Sequence, residues 1–201
     1  RIIQFGEQTA AEFEAALRKL RDRGLRGLVL DLRGNPGGLL DTAVEVVQHF
    51  LPAGAVVVTL RGREGADSAG RVFRALGRDH DTGLPLAVLI NRGSASASEI
   101  IAGALQDHGR AVLVGETSFG KASVQNIVPT RTRPECAVKL TTAHYYTPTN
   151  RLIHGKGIVP CERVPMKPDA WRRVQIKRMY EEMPDAYPAD KREPVGDVVD
   201  A

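Results

Sequence analysis

The chain has 201 residues, a formal net charge of +4, 26% charged residues and 42% hydrophobic residues. These values are ordinary for a globular protein with a well-buried core, and they exclude a chain that is disordered throughout. Aromatic residues make up only 5% of the chain and are not interleaved with basic residues, which disfavours a nucleic-acid-binding domain. No stretch approaches the roughly 18 apolar residues that a membrane span needs.

Apolar runs and helical spacing alternate along the first two thirds of the chain. The predicted strands are apolar runs of strand length, at residues 1–5, 27–33, 55–60, 85–90, 111–115, 126–129 and 137–147. The predicted helices carry apolar residues on one face, at residues 9–24, 39–51, 99–109 and 170–183. This alternation predicts an α/β fold with βαβ crossovers on a central sheet.

Some local signals refine this outline. Thr9 followed by Glu12 predicts a capping box at the start of the first helix. Residues 61–84 are rich in Gly, Arg and Asp and predict an exposed excursion, either a ragged hairpin or a short helix. Pro134 predicts a bend between the last two strands. The amino-acid composition changes near residue 162, where a charged, proline-containing tail begins.

Two cysteines, Cys136 and Cys161, are too few for a zinc site or a disulfide framework. The two could pair in an oxidising compartment if the fold brings them together, but we expect two unpaired thiols. The chain opens on Arg1 and shows no signal peptide, and we interpret it as part of a longer protein whose targeting segment lies elsewhere.

Three serines separated only by alanine follow the apolar run of residues 85–90, and they are Ser94, Ser96 and Ser98. At a strand-to-helix junction a hydroxyl can lie beside free backbone N–H groups, so each serine is a candidate nucleophile. Each is also consistent with a small helix-capping residue. The G-x-S-x-G elbow of α/β-hydrolases is absent, and no histidine is obviously placed to act as a base.

A lysine can replace histidine as the base when burial or a like charge makes it neutral. Lys121 is flanked by Gly120 and Ala122 in a loop of small residues, although a solvent-exposed loop lysine would fit the same pattern. The glycine pair Gly37 and Gly38 predicts a turn with outward N–H groups, which suits anion stabilisation. A plain tight turn would use the same residues.

Several segments of the sequence resemble the C-terminal processing peptidases, also called tail-specific proteases. They occur in the family's order over residues 1 to about 160, at residues 31–38, 91–100, 114–125, 140–148 and 154–160. The resemblance implies an α/β fold with a ClpP/crotonase-like core of ββα units, a β-rich C-terminal part and a mixed tail. It also implies a serine endopeptidase that cleaves proteins at or near their C-terminal region through an acyl-enzyme.

The family's functional residues carry over to defined positions. The resemblance implies Ser96 as nucleophile and Lys121 as general base, with Ser94 and Ser98 as small spacers. Gln125, one helical or loop turn past the lysine, would hold its amine. Asp107 matches an acidic position that is counted as functional in some members. The backbone N–H groups of Gly38 and Ala97 would form the oxyanion hole. No metal or cofactor is then needed.

The resemblance also implies an organisation and a setting. Residues 1–162 would form the peptidase core, and residues 163–201 a tail or linker with one helix. Family members usually carry a PDZ domain before the core, and the residues from Arg1 onward already match the core. We therefore expect a protease core cut out of a longer protein, which in isolation can be weakly active or inactive. The expected partners are protein or peptide substrates with an accessible C-terminus. We also expect membrane association through an N-terminal region, homo-oligomerisation, and export from the bacterial cytoplasm.

Two alternatives come from other functional classes. The fold can serve as a ligand-binding or partner-binding module without turnover. It is also shared by acyl-CoA enzymes of the crotonase type, which generally use acidic residues rather than a serine and a lysine. Retention of both Ser96 and Lys121 favours the peptidase over these alternatives.

Overall fold

A computed structural model describes residues 1–62, 70–77, 83–130 and 136–189, together with residues 192 and 195. The chain divides into two compact units, Arg1–Glu162 and Arg163–Ala201. In chain order the elements are α1 (Thr9–Asp22), β1 (Leu28–Asp31), α2 (Leu40–Val47), β2 (Val56–Gly62), β3 (Arg71–Arg74), β4 (Leu86–Ile90), α3 (Ala97–Asp107), β5 (Val112–Gly115), β6 (Ser123–Pro129), β7 (Ala137–Tyr146), β8 (Glu162–Arg163) and α4 (Pro168–Glu182).

One sheet has the strand order β1-β4-β5-β8. β4 is central and pairs in parallel with β1 on one side and with β5 on the other. Its apolar run is buried at alternate positions, including Val88 and Ile90 at 0% exposure. The parallel strands predicted from continuous apolar runs are therefore confirmed.

A second sheet is antiparallel and has the order β3-β2-β7-β6. The expectation that residues 55–60 form a strand of the central sheet was wrong, because β2 pairs in antiparallel with β3 and β7 instead. A valine-rich run fits either kind of sheet, so the sequence did not distinguish them. Within the described part of the predicted excursion, residues 61–62 end β2 and residues 71–74 form β3, whereas residues 63–69, residues 78–82 and Pro134 lie outside the described residues.

The start of the chain differs from the prediction. Residues 1–5 form no strand, and only a single bridge joins Phe5 to Gly38. The predicted capping box of Thr9 and Glu12 is also wrong, because Gln8 is the N-cap residue. The Thr9 hydroxyl instead accepts a hydrogen bond from the Gly6 N–H at 3.1 Å and so closes the turn that precedes the helix.

Side chains from α2, α3 and both sheets share one hydrophobic core. α3 is buried along most of its length, because small and branched apolar residues cover nearly all of its faces. This burial fixes the helix that begins directly after the three serines. In the second unit, α4 starts with Pro168 in its first turn, where a missing N–H is tolerated. None of the helices among the described residues is long and apolar enough to cross a membrane.

Candidate active site

Ser96 occupies the junction between β4 and α3 in an unusual backbone conformation. Its φ is 55° and its ψ is −116°, a region that a non-glycine residue rarely adopts. Such a conformation costs about 1–3 kcal/mol and persists only where surrounding contacts enforce it. Ser96 is also partly exposed, while Ser94 and Ser98 are 0% exposed. The strained strand-to-helix turn thus presents one serine of the three.

The hydroxyls of the other two serines are bound to the neighbouring loop. Ser94 Oγ donates to the Leu32 carbonyl at 2.8 Å and accepts from the Asn91 N–H at 3.0 Å. Ser98 Oγ donates to the Asn35 carbonyl at 3.1 Å. The expectation that Ser94 and Ser98 act only as small spacers was therefore incomplete, since their hydroxyls join the serine segment to residues 32–35.

Glu99 holds the serine segment and the lysine segment together. Its side chain is 0% exposed and accepts four hydrogen bonds. Oε2 accepts from the Ser96 N–H at 2.9 Å and from the Lys121 N–H at 2.8 Å. Oε1 accepts from Ser118 Oγ at 2.5 Å and from the Gly120 N–H at 2.6 Å. Because one oxygen binds both amides, the backbones of Ser96 and Lys121 lie within two hydrogen-bond lengths of each other.

Sequence reasoning missed Glu99, although a signal was present. Ser96 and Glu99 are spaced as in a capping box, and this box forms at the start of α3. A glutamate among small and apolar residues at a helix start is also a group that must find partners if it is buried. Both signals lie in the segment that carries the candidate nucleophile.

The Lys121 side chain is exposed, and no hydrogen bond to Ser96 is formed among the described residues. What the fold brings together is the two backbones. Gln125 lies in β6 opposite Thr141 and is exposed. Its expected place one helical or loop turn past the lysine was wrong, because the chain is already extended from Ser123 onward.

The glycine turn packs directly against the serine segment. A Cβ atom on Gly37, whose φ is 101°, would lie 2.8 Å from Ser96 Cβ and 2.9 Å from the Ala97 nitrogen. A Cβ atom on Gly38, whose φ is 147°, would lie 2.1 Å from the Phe5 carbonyl oxygen. Side chains are therefore excluded at both positions. Among the described residues, no acceptor takes a hydrogen bond from the N–H of Gly38 or of Ala97.

Asn35 fixes the shape of this turn. It is 0% exposed, its Nδ2 donates to the Ile2 carbonyl at 2.9 Å, and its Oδ1 accepts from the Gly37 N–H at 2.8 Å. Its own carbonyl accepts from the Ala95 N–H at 3.0 Å, one residue before Ser96. The turn and the serine segment therefore form one hydrogen-bonded assembly, in which Gly38 follows Gly37 in the turn and Ala97 follows Ser96 in the serine segment.

Asp107 does not lie near Ser96. The two residues flank opposite ends of α3, roughly 15 Å apart at the ordinary helical rise. Its carboxylate accepts from the Thr149 N–H at 2.9 Å and from Thr149 Oγ1 at 2.7 Å, and it pairs with the Arg151 guanidinium. Burial raises the pKa of Asp107, but hydrogen bonds from Thr147 and Thr149 and the charge of Arg151 outweigh it, so its pKa lies below the ordinary value.

These contacts predict that Asp107 acts on stability. A carboxyl whose folded pKa is depressed stabilises the fold above its unfolded pKa of about 4, and this stabilisation is lost as pH falls through the folded pKa. Asp107→Asn should lower the free energy of unfolding by about 1–3 kcal/mol at pH 7, measured by urea titration. The difference should shrink at pH 3, and an equal loss at both pH values would contradict the assignment.

Other features of the surface lie apart from this assembly. A groove of about 640 Å³ is lined by residues of the N-terminal segment, α1 and β1, and it contains none of the candidate catalytic residues. Cys136 and Cys161 are both free, as expected. Within the described part of the chain, no group of three or more His, Cys, Asp or Glu side chains is arranged to hold a metal ion.

Comparison with known proteins places this arrangement in a family. The sequence profile described as Peptidase family S41 matches residues 1–164. The chain belongs to peptidase family S41. The resemblance to the C-terminal processing peptidases is thereby confirmed, and the family is one of serine peptidases.

Relatives and solved structures of the S41 family agree with this placement. The carboxy-terminal-processing protease of Bartonella bacilliformis is 51% identical over 164 residues, which are 80% of this chain and 37% of that protein. The carboxy-terminal processing protease CtpB of Bacillus subtilis is 42% identical over 159 residues, 79% of this chain and 32% of that protein. The chain thus spans about a third of the length of these curated relatives.

A solved structure described as photosystem II D1 C-terminal processing protease superposes with a TM-score of 0.74 at 37% identity. The match covers 82% of this chain and 41% of that one. Together with the parallel sheet and its helices, this likeness confirms the expected α/β fold class with a ClpP-like core.

Proposed function

We propose that this chain is the catalytic core of a serine endopeptidase that cleaves proteins at or near their C-terminal region, with Ser96 as nucleophile and Lys121 as general base. The observation that carries the proposal is the buried Glu99 carboxylate, which binds the backbone N–H groups of both residues through one oxygen. A structural role alone would not require a strained, partly exposed serine beside a lysine loop.

The proposed reaction begins when Ser96 Oγ attacks the carbonyl carbon of a peptide bond. The Lys121 amine takes the hydroxyl proton, and the N–H groups of Gly38 and Ala97 stabilise the negative charge that develops on the carbonyl oxygen. Lys121 then passes the proton to the leaving amine, and an acyl-enzyme forms on Ser96. Attack by water, assisted by Lys121, releases the second product and restores the serine.

The base must be neutral for this reaction, and Lys121 is exposed in the free chain. A bound substrate would cover the lysine and exclude water from around the reacting groups. Gln125 lies on the strand that follows Lys121. Its proposed role is to orient the Lys121 amine once substrate is bound. Asp107 enters this proposal only as the anchor of the segment that contains Thr149 and Arg151.

Lys121→Met should reduce kcat/KM for cleavage of an unstructured protein with an apolar C-terminus by at least about a thousandfold, because the pair of residues acts as a unit. Methionine keeps the length and apolar stem of the side chain but has no basic nitrogen. Lys19→Met, at an exposed position of α1, is the matched control and should retain full activity. Equal activity of both variants would contradict the assignment of the base.

The substrates, partners and location of the whole protein follow from the same proposal. The partners would be proteins or peptides with an accessible C-terminus, with membrane association, homo-oligomerisation and export as further parts of the proposal. One S41 relative, from Arabidopsis thaliana, is named as a chloroplastic C-terminal-processing peptidase. Membership of the S41 family favours the peptidase over the binding-module and acyl-CoA alternatives.

A further inference from the structure

The strand that follows Lys121 has one unpaired edge. β6 is the last strand of its sheet and pairs only with β7 among the described residues. In an antiparallel pair, alternate residues direct their N–H and C=O groups toward the partner strand, while the intervening residues direct theirs away from it. The direction at each position of β6 can therefore be assigned from the hydrogen bonds at its two ends.

The hydrogen bonds at both ends of β6 indicate the same alternation of backbone groups. At the far end, the Thr130 N–H donates to the Cys136 carbonyl at 3.0 Å, and at the near end the Tyr145 N–H donates to the Ala122 carbonyl at 2.8 Å. Thr142 is the extra residue of a bulge in β7, so the alternation along β6 is unbroken. The backbone N–H and C=O groups of the even-numbered residues of β6 therefore point toward β7. The backbone groups that point outward belong to Ser123, Gln125, Ile127 and Pro129.

Proline limits how much of this edge can pair with another chain. Pro129 has no N–H, and its position on the outward side explains why it does not interrupt the ladder with β7. Proline at a strand edge opposes unwanted pairing. The usable donors are thus confined to Ser123, Gln125 and Ile127, which lie in the part of the strand nearest Lys121.

The open part of the edge is continuous with the proposed catalytic centre. It starts two residues after Lys121, whose N–H shares Glu99 Oε2 with the N–H of Ser96. An extended chain laid along this edge would therefore pass from Ile127 toward Ser96. Peptide segments commonly bind to exposed sheet edges in this way, with main-chain hydrogen bonds providing affinity and alternate side chains providing specificity.

We propose that an extended apolar segment of the protein substrate binds as an added strand along the Ser123–Ile127 edge of β6, which holds the scissile bond at Ser96. This inference rests on the proposed function. The Ile127 side chain is 71% exposed and shares a sheet face with Gln125. A substrate residue opposite Ile127 gains apolar contact on that face, so aliphatic residues are preferred there over charged ones.

Amide hydrogen exchange tests the edge directly, with the Ser96→Ala chain so that the peptide is not cleaved. The probe is a peptide of about eight Ala, Thr, Val and Leu residues with a free carboxylate. Before addition, the amides of Val124, Asn126 and Val128 should be protected and those of Ser123, Gln125 and Ile127 should exchange fast. Saturating peptide should slow the second set at least about tenfold, and unchanged exchange would overturn the inference.

Ile127→Pro is the matching variant in the active chain. It removes one outward N–H without touching the ladder to β7, so the fold should be kept, as circular dichroism and the protection of Val128 would show. KM for peptide cleavage should rise at least about fivefold, whereas Ile127→Val should leave it nearly unchanged. Equal KM values for the two variants would overturn the inference.

The outcomes separate this inference from the proposed function. Ser96-dependent cleavage without protection of the β6 amides overturns the inference and leaves the peptidase assignment intact. Protection of those amides in a chain that never cleaves a substrate supports peptide binding at the β6 edge and contradicts the peptidase assignment. Protection that appears without peptide and grows with protein concentration assigns the edge to a second copy of the chain, and this also overturns the inference.

Discussion

Ser96→Ala is expected to abolish cleavage, with a loss of at least about a thousandfold in kcat, because no other group in the serine segment can replace the attacking oxygen. The neighbouring hydroxyls of Ser94 and Ser98 are buried and bonded to Leu32 and Asn35, and neither can reach a substrate without breaking these bonds. The measurement is steady-state cleavage of an unstructured protein substrate followed by mass spectrometry.

Ser94→Ala and Ser98→Ala are the matched controls. Each removes a buried hydroxyl that joins the serine segment to the neighbouring loop, so each should lower the free energy of unfolding by about 1–2 kcal/mol. Each should also keep far more activity than Ser96→Ala when assayed below its unfolding temperature. If either control lost as much activity as Ser96→Ala while keeping its fold, the assignment of Ser96 as the nucleophile would be contradicted.

Glu99→Gln is expected to produce the second largest loss. The carboxylate accepts from four donors, and an amide of the same shape would direct its NH₂ group at one or more of them. A buried donor left without an acceptor is costly, so the free energy of unfolding should fall by about 2–4 kcal/mol. kcat should fall at least about a hundredfold, because Ser96 and Lys121 lose their common anchor.

A positioning role predicts a particular kinetic pattern for this variant. kcat should fall much more than KM rises, since the substrate contacts remain while the reacting groups are displaced. Glu116→Gln is the control, because Glu116 lies in the loop between β5 and β6 that also carries Lys121, but its carboxylate only approaches Arg92 at 4.0 Å. If Glu99→Gln lost stability but kept its kcat under folding conditions, Glu99 would be a structural residue only.

The sequence indicated the parallel sheet and the helices well because both follow from apolar periodicity. β4 and β5 are continuous apolar runs, and α3 carries apolar residues on nearly every face. The assignment of β2 to the same sheet failed, since a Val-rich run records burial but not its partner strand. Residues 1–5 failed for a similar reason, because only one bridge, at Phe5, is formed there.

The roles of the candidate site residues stay a prediction, and the geometry that joins them was the harder part to foresee. The motif around Ser96 singled out this serine as the candidate nucleophile only through its resemblance to a family, since residue type alone left three serines open. The capping-box spacing occurs both at Thr9 and at Ser96, but the box forms only at Ser96. Long-range bonds such as those from Gly120 and Lys121 to Glu99 have no signature in local sequence.

The most direct test of the account is to locate the covalent intermediate. The chain would be mixed with an apolar peptide p-nitrophenyl ester, quenched in acid within the first turnover, digested and mapped by tandem mass spectrometry. The account predicts one acyl group, on Ser96 Oγ, that is absent from Ser96→Ala and forms far more slowly in Lys121→Met. An acyl group on Ser94, on Ser98 or on a residue outside the serine segment, in a chain that turns over substrate, would contradict it.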